Sequence, residues 1–176
     1  MNARIVWLTG LSGSGKSSIS ISLAKSLSKK FKVYRVDGDD FRKKNKISGR
    51  FTKQSIIKNN LNILEFVKKI EKKYDFVIVS VISPILKTRN LCRIFFGERY
   101  FEIYVHCKIS TLKKRDTKGL YKLADQNRLK NLIGYKSKIK YEKSKYKKIS
   151  INTDISSLAV ARKIILNKII QKNETK

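Results

Sequence analysis

Residues 4–17 read RIVWLTGLSGSGKS: a β-branched and aromatic run, then three glycines in six positions, then lysine and serine. The run over 4–9 has the composition of a short strand. Gly10 to Ser17 matches the spacing G-x-x-x-x-G-K-[ST], and Ile19, Leu23 and Leu27 follow at helical spacing. A strand, a glycine loop and a helix opening form the context in which this spacing works. Glycines let backbone N–H groups converge on phosphate oxygens, and the helix N-terminus adds partial positive charge. Lys16 is then expected to reach β- and γ-phosphates, and the Ser17 hydroxyl to take a Mg²⁺ position. The expected nucleoside-triphosphate site comprises Gly10, Leu11, Ser12, Gly13, Ser14, Gly15, Lys16, Ser17 and Ser18. The bland alternative, a glycine turn with a fortuitous lysine, does not account for the flanking strand and helix.

The rest of the chain continues the alternation. After a helix over 16–31 comes a strand over 32–36 (KVYRV). A strongly amphipathic helix follows over 54–73, carrying Ile57, Leu61, Leu64, Val67 and Ile70. Residues 76–82 (FVIVSVI) form the most apolar run, the kind buried on both faces of a parallel sheet. Pro84 interrupts it, and a helix is expected over 87–96. Strands over 102–107 and 147–152 and a closing helix over 156–171 complete the pattern. It predicts an α/β fold with a parallel five-stranded sheet covered on both faces. Between Thr117 and Tyr146 the pattern weakens.

Length and composition limit the alternatives. The 176 residues fit one domain, and 41% hydrophobic content supports a core, which argues against whole-chain disorder. No apolar run approaches the roughly 20 residues that span a bilayer, and the first residues do not read as a signal peptide. Cys92 and Cys107 carry no disulfide or zinc pattern. A reduced, soluble, cytoplasmic protein without a membrane partner is expected. The net charge of +29 would fit a polyanionic partner. However, 32 of the 42 basic residues are lysine, beside 23 Ile and 11 Asn, so AT-rich codon usage accounts for much of the excess. With no zinc-finger spacing, RNP-like strand or zipper, a nucleic-acid partner is not expected. Residues 108–148 hold 15 Lys and Arg against 3 Asp and Glu and lack long apolar runs, as a solvated or mobile segment would.

A kinase needs an acceptor site beside the γ-phosphate. The strand over 32–36 runs into Asp37-Gly-Asp39-Asp40-Phe-Arg42, three acids within four residues in a chain with only 13. In doubly wound sheets the carboxyl end of a strand faces the ligand crevice. A carboxylate there can take a hydroxyl proton or hold a Mg²⁺ water, and Arg42 can grip an anion. An acidic turn with a solvated arginine is the plain alternative.

With these residues in place, the chain resembles the adenylylsulfate (APS) kinase family over about residues 4–153. The resemblance rests on WLTGLSGSGKS (7–17), DGDDFR (37–42), ISP (82–84) and RDTKGLYK (115–122), in the family's order. It implies a P-loop NTPase-type three-layer sandwich, one kinase domain over 1–176, with a mobile lid over about 117–146. It further implies ATP-dependent phosphorylation of a nucleotide's ribose 3′-hydroxyl, with Mg²⁺, and possession of a homodimer interface. Carried over by position, Lys16, Asp37 and Asp39 are the catalytic candidates, with Ser17 and Asp37 near the metal. Asp39 is favoured as the group nearest the 3′-hydroxyl, and the choice between the two acids stays open. Arg115 matches a lid-base arginine beside ATP. The acceptor side takes Asp39, Arg42, Phe51, Asn59, Ile82, Ser83, Lys118, Gly119 and Leu120, with Ser83 read as a site-lining residue.

The departures from the family pattern concentrate on that acceptor side. Ser55 and Ile56 stand where Asp-Arg is usual, Leu132 where a stacking aromatic is usual, and Ile85 and Leu86 where a tyrosine and a basic residue are usual. Losing a charge partner or a base–aromatic stack costs on the order of 1–3 kcal/mol each. The altered pocket favours a related nucleotide with a small anionic substituent, such as cytidine diphosphoramidate of capsular phosphoramidate synthesis. Adenylylsulfate is the family default and the alternative. A non-catalytic nucleotide- or nucleic-acid-binding module is a further alternative, against which stand the intact Lys16, Ser17, Asp37 and Asp39. Small-metabolite kinases of this fold fit less well, because the lid run and Ile-Ser-Pro point elsewhere.

Overall fold

The computed structural model describes residues 2–45, 52–144, 146 and 148–170. Its five strands are β1 (Arg4–Thr9), β2 (Val33–Asp37), β3 (Phe76–Ser80), β4 (Tyr100–His106) and β5 (Ile149–Asn152). All pair in parallel, in the order β2-β3-β1-β4-β5. Side chains alternate across each strand, so one strand feeds two cores. On one face Ile5 and Trp7 of β1 pack with Val77 and Val79 of β3. Helices α3 (Lys53–Ile70) and α4 (Leu86–Phe96) cover that face through Ile63, Val67, Cys92 and Phe96. On the other face Val6 and Leu8 pack with Ile78, Ile103 and Val105. There α1 (Lys16–Leu27) and α7 (Leu158–Ile170) supply Ile19, Leu23, Ala161 and Ile165. Each fully buried aliphatic side chain contributes about 1.5–3 kcal/mol of transfer free energy, which is why β1 and β3 lie inside the sheet. The result is the expected three-layer α/β sandwich.

Three short helices were not legible in the periodicity: α2 (Gly38–Lys44), α5 (Ile109–Arg115) and α6 (Leu120–Asp125). Runs of six or seven residues span less than two turns, too few for a 3.6-residue period to register. The acidic run after β2 is the start of α2 rather than a turn: the Asp37 carboxylate caps it by accepting the Asp39 N–H. Within the expected lid, Asp116 accepts the N–H groups of Tyr121 and Lys122 and so caps α6.

Three expected boundaries also move. The helix expected over 16–31 stops at Leu27, after which Phe31 turns back edge-on to Phe76 with ring centroids 5.1 Å apart. The strand expected over 76–82 stops at Ser80, because Ser83 is drawn to Thr9 and Pro84 has no N–H to donate. The helix expected over 54–73 ends at Ile70 in a 3₁₀ turn. Trp7 and Cys92 are core residues, while His106, at the carboxyl end of the inner strand β4, meets the Ser150 hydroxyl at 3.1 Å. No described helix is long and apolar enough to cross a membrane.

Candidate active site

Parallel strands bring their carboxyl ends to one rim. Asp37 and Leu8 both register with Ser80, Thr9 with Tyr104, and His106 with Asn152. The loops leaving that rim enclose a cavity of about 810 Å³. Its floor is the glycine loop and the first turn of α1: Ser12, Gly13, Gly15, Lys16, Ser17 and Ser18. Two glycines are obligatory there. Gly15 caps α1 in the left-handed region, with φ 98°. Gly10, with φ 148°, passes so near β4 that an added Cβ would lie 2.0 Å from the Val105 carbonyl oxygen. No side chain caps the N-terminus of α1, which leaves its first N–H groups facing the cavity side of the loop.

Lys16 is largely buried, and its ammonium donates to the Leu11 carbonyl at 2.7 Å. Burial outweighs the nearby Asp39 and Asp37 carboxylates and lowers its pKa to about 8. A bound triphosphate favours the charged lysine, so the sign follows directly. Below about pH 8 the ammonium is already present; above it, binding requires proton uptake. Nucleotide affinity is therefore expected to be flat from pH 7 to about 8 and then to weaken, by up to about tenfold per pH unit. Titration calorimetry with ATP at pH 7.0 and 9.5 measures this, and an unchanged dissociation constant contradicts it.

Asp37 sits at the end of β2 facing Lys16. Its Oδ2 accepts the Ser17 hydroxyl at 2.9 Å and the Ser80 hydroxyl at 3.1 Å, with the Arg35 guanidinium at 3.3 Å. Its Oδ1 accepts the Asp39 N–H at 3.0 Å. Partial burial pushes this carboxyl upward, but those donors prevail and hold it below the ordinary carboxylate value. Ser17 and Asp37 thus join two hard oxygen donors beside the loop. Among the described residues no three His, Cys, Asp or Glu side chains gather as a protein cage. A pair of oxygens with room for waters and phosphate oxygens fits Mg²⁺, which keeps most of its hydration. Two residues after Asp37, Asp39 forms an exposed ion pair with Lys118.

The wall opposite the glycine loop is formed by Gly38, Arg42, Ile56, Val81, Ile82 and Ile133. Leu120, Leu129 and Leu132 complete the lining, with Arg115, Thr153 and Leu158. Of the expected residues, Ser12, Gly13, Gly15, Lys16, Ser17, Ser18, Asp37, Asp39, Arg42, Ile82, Arg115, Lys118 and Leu120 share this cavity. Gly10, Leu11, Ser14 and Gly119 shape its loops without lining it. Phe51 lies outside the described residues.

Two expectations need correction. Ser83 does not line the cavity: it is fully buried, its backbone is bound by the Thr9 hydroxyl, and its Oγ lies 3.3 Å from the Thr88 hydroxyl at the start of α4. Asn59 is likewise buried behind the wall, with no hydrogen-bond partner for Oδ1 among the described residues. The neighbouring Asn60 holds the wall instead, donating to the Ile56 carbonyl and more weakly to that of Ile82. Helical phase decides this: adjacent residues on α3 point about 100° apart.

Sequence reasoning also missed Tyr121 and Thr153. The Tyr121 hydroxyl donates to the Ser12 carbonyl at 2.9 Å, tying α6 to the glycine loop. Thr153 accepts Arg115 at its hydroxyl (2.9 Å) and carbonyl (2.7 Å) and donates to Ser14 at 3.1 Å. Tyr121 stands within the RDTKGLYK run, the one signal that could have found it; Thr153 has none.

Comparison with known proteins agrees with this geometry. The family model described as adenylylsulphate kinase matches residues 2–152. The adenylyl-sulfate kinase of Clostridium acetobutylicum is 34% identical over 150 residues, covering 85% of this chain and 74% of that protein. A probable adenylyl-sulfate kinase of Bacillus subtilis is 34% identical over 166 residues, covering 93% and 82%. The APS kinase of Mycobacterium tuberculosis, solved with AMPPNP and APS, superposes with a TM-score of 0.81 at 25% identity, over 97% of this chain and 99% of that one.

Proposed function

Because the chain belongs to the adenylylsulphate kinase family and is an ATP-dependent kinase with a hydroxyl acceptor, we propose that it phosphorylates the ribose 3′-hydroxyl of adenylylsulfate. The observation that carries this reading is that one cavity holds Lys16 and Ser17 together with Asp39, Arg42 and Lys118. A donor cradle and an acceptor grip, in this reading, share one cavity, as an in-line transfer requires. In this reading residues 10–18 cradle the triphosphate, Arg115 lies on the ATP side, and Lys16 neutralises charge on the β- and γ-phosphates. Ser17 and Asp37 would hold Mg²⁺, which would supply positive charge to offset that of the phosphates. Asp39 accepts the proton of the 3′-hydroxyl as that oxygen bonds to the γ-phosphorus and ADP leaves. Arg42, Ile82, Lys118 and Leu120 enclose the acceptor. The lid, about residues 117–146, excludes water and so limits ATP hydrolysis.

A specific observation keeps a second acceptor in view. Ile56 and Leu132, which replace the family's arginine and aromatic, line the cavity with 1% and 7% of their surface exposed. That apolar lining offers no charge partner to a sulfate and no ring to an adenine, as suits a smaller base such as that of cytidine diphosphoramidate. The relatives named above, adenylyl-sulfate kinases and an APS kinase, weigh toward adenylylsulfate.

A coupled ADP-release assay with each acceptor tests both. Turnover of adenylylsulfate at kcat/KM of about 10⁴ M⁻¹s⁻¹ or more is expected. Turnover of the diphosphoramidate alone replaces the acceptor, and turnover of neither overturns the reading.

A further inference from the structure

Behind the acceptor wall lies a buried charge that the transfer reaction does not use. Arg89 of α4 is fully enclosed, and its Nε donates to Glu102 of β4 at 3.2 Å, itself only 1% exposed. Glu102 also pairs with Arg93 at 3.1 Å. One partner would suffice to neutralise Arg89, yet its two terminal nitrogens are aimed elsewhere. Nη1 donates to the Ser83 carbonyl in the loop behind Ile82, and Nη2 to the Glu142 carbonyl where the chain returns from the lid segment.

The two segments Arg89 joins are also bound to each other. The Glu142 N–H donates to Pro84 at 2.9 Å, and the Leu86 N–H donates to the Glu142 carboxylate at 2.6 Å. Tyr141 lies under the guanidinium, 4.8 Å from its ring centroid, and its hydroxyl donates to Thr9 at 2.9 Å. The same Thr9 hydroxyl contacts both the N–H and the carbonyl of Ser83, and Thr9 directly precedes the glycine loop. The end of β1, the acceptor wall and the lid return therefore meet at one point 50 or more residues apart in sequence.

From this junction we infer that Arg89 is a positioning residue: its planar fork sets the loop over 81–85 against the lid return, and so fixes the acceptor wall without touching substrate. The inference rests on the reading that Val81 and Ile82 face the acceptor. A fork is needed because only a guanidinium can satisfy Glu102 and two diverging carbonyls at once; an ammonium keeps the charge near Glu102 but not this geometry.

Arg89→Lys is the discriminating variant. KM is measured for whichever acceptor the wild type turns over, and the ATP dissociation constant by calorimetry. Acceptor KM is expected to rise about tenfold or more while ATP affinity stays within about twofold, since small misplacements of a binding wall are costly. Hydrogen exchange at the Leu86 and Glu142 amides is expected to speed up while that of α1 is unchanged. A parallel loss of acceptor affinity, ATP affinity and global protection reduces Arg89 to a structural residue and overturns the inference. If the wild type uses neither acceptor, the functional reading has failed on its own, and exchange decides the junction: unchanged Leu86 and Glu142 amides overturn it, faster exchange confined to them supports it. If Arg89→Lys does not fold, Glu142→Ala removes the Leu86 bond alone, and the same split in KM and ATP affinity is required of it.

Discussion

Lys16→Met is expected to lower kcat about 10³-fold with the fold intact. Removing one preorganised donor from a developing oxyanion costs roughly 10²–10³ in rate. Lys16 carries a full charge in a largely buried position, which puts it at the upper end of that range. Methionine keeps the length of the side chain and removes only the ammonium. The stability effect has the opposite sign. The folded pKa of about 8 lies below the ordinary 10.5, so the fold disfavours the charged form. That penalty is fully present below pH 8 and fades as pH rises toward 10.5. At pH 7 the Lys16→Met protein is expected to melt no lower than wild type. Single-turnover kinetics and thermal unfolding measure the two effects. A wild-type rate in the variant sinks the assignment of Lys16, and a markedly lower Tm shifts the loss to folding.

Asp39→Asn is the second large effect, with kcat expected to fall about 10²–10⁴-fold, the usual range for a general base. Asparagine keeps the shape and the position on α2 while removing the proton acceptor. The ion pair with Lys118 does not complicate the result. Both side chains are more than half exposed, and exposed pairs are worth about 0–1 kcal/mol. The pair can open for an acceptor, and its loss leaves stability nearly unchanged. Asp37→Asn provides the contrast. Asp37 is bound by Ser17, Ser80, Arg35 and the Asp39 N–H, and it touches the proposed metal position. Its variant is expected to raise the Mg²⁺ concentration needed for half-maximal rate, whereas Asp39→Asn leaves that concentration unchanged. A shift in Mg²⁺ dependence in Asp39→Asn instead exchanges the two roles.

How far these residues could be read without a fold depends on the range of the forces that place them. Residues 10–15 form a continuous loop whose glycine spacing determines its own backbone, and Lys16 and Ser17 open α1 directly after it. The carboxylate cluster was legible as a strand end but not as the N-terminus of α2, because a seven-residue helix has too few apolar positions to show a period. Ser83 misled for another reason. Its motif neighbour Ile82 lines the cavity, but its own hydroxyl is turned inward by Thr88 and its backbone by Thr9, 74 residues earlier. Arg89 and Glu142 gave no signal: one sits in an ordinary amphipathic helix, the other in a lysine-rich run. Their meaning exists only where α4 and the chain at Glu142 meet.

From residue order alone came the parallel α/β sandwich, the triphosphate loop and the placement of Asp37, Asp39 and Arg42 at a strand end. These follow from local periodicity and from loops a few residues long. Tertiary structure alone decided which neighbouring side chains face the cavity, that Asn60 rather than Asn59 holds its wall, and that a buried guanidinium ties the Ser83 loop to the chain at Glu142. Such outcomes depend on helical phase and on polar groups that must find partners once water is excluded, and those partners lie far away in the chain.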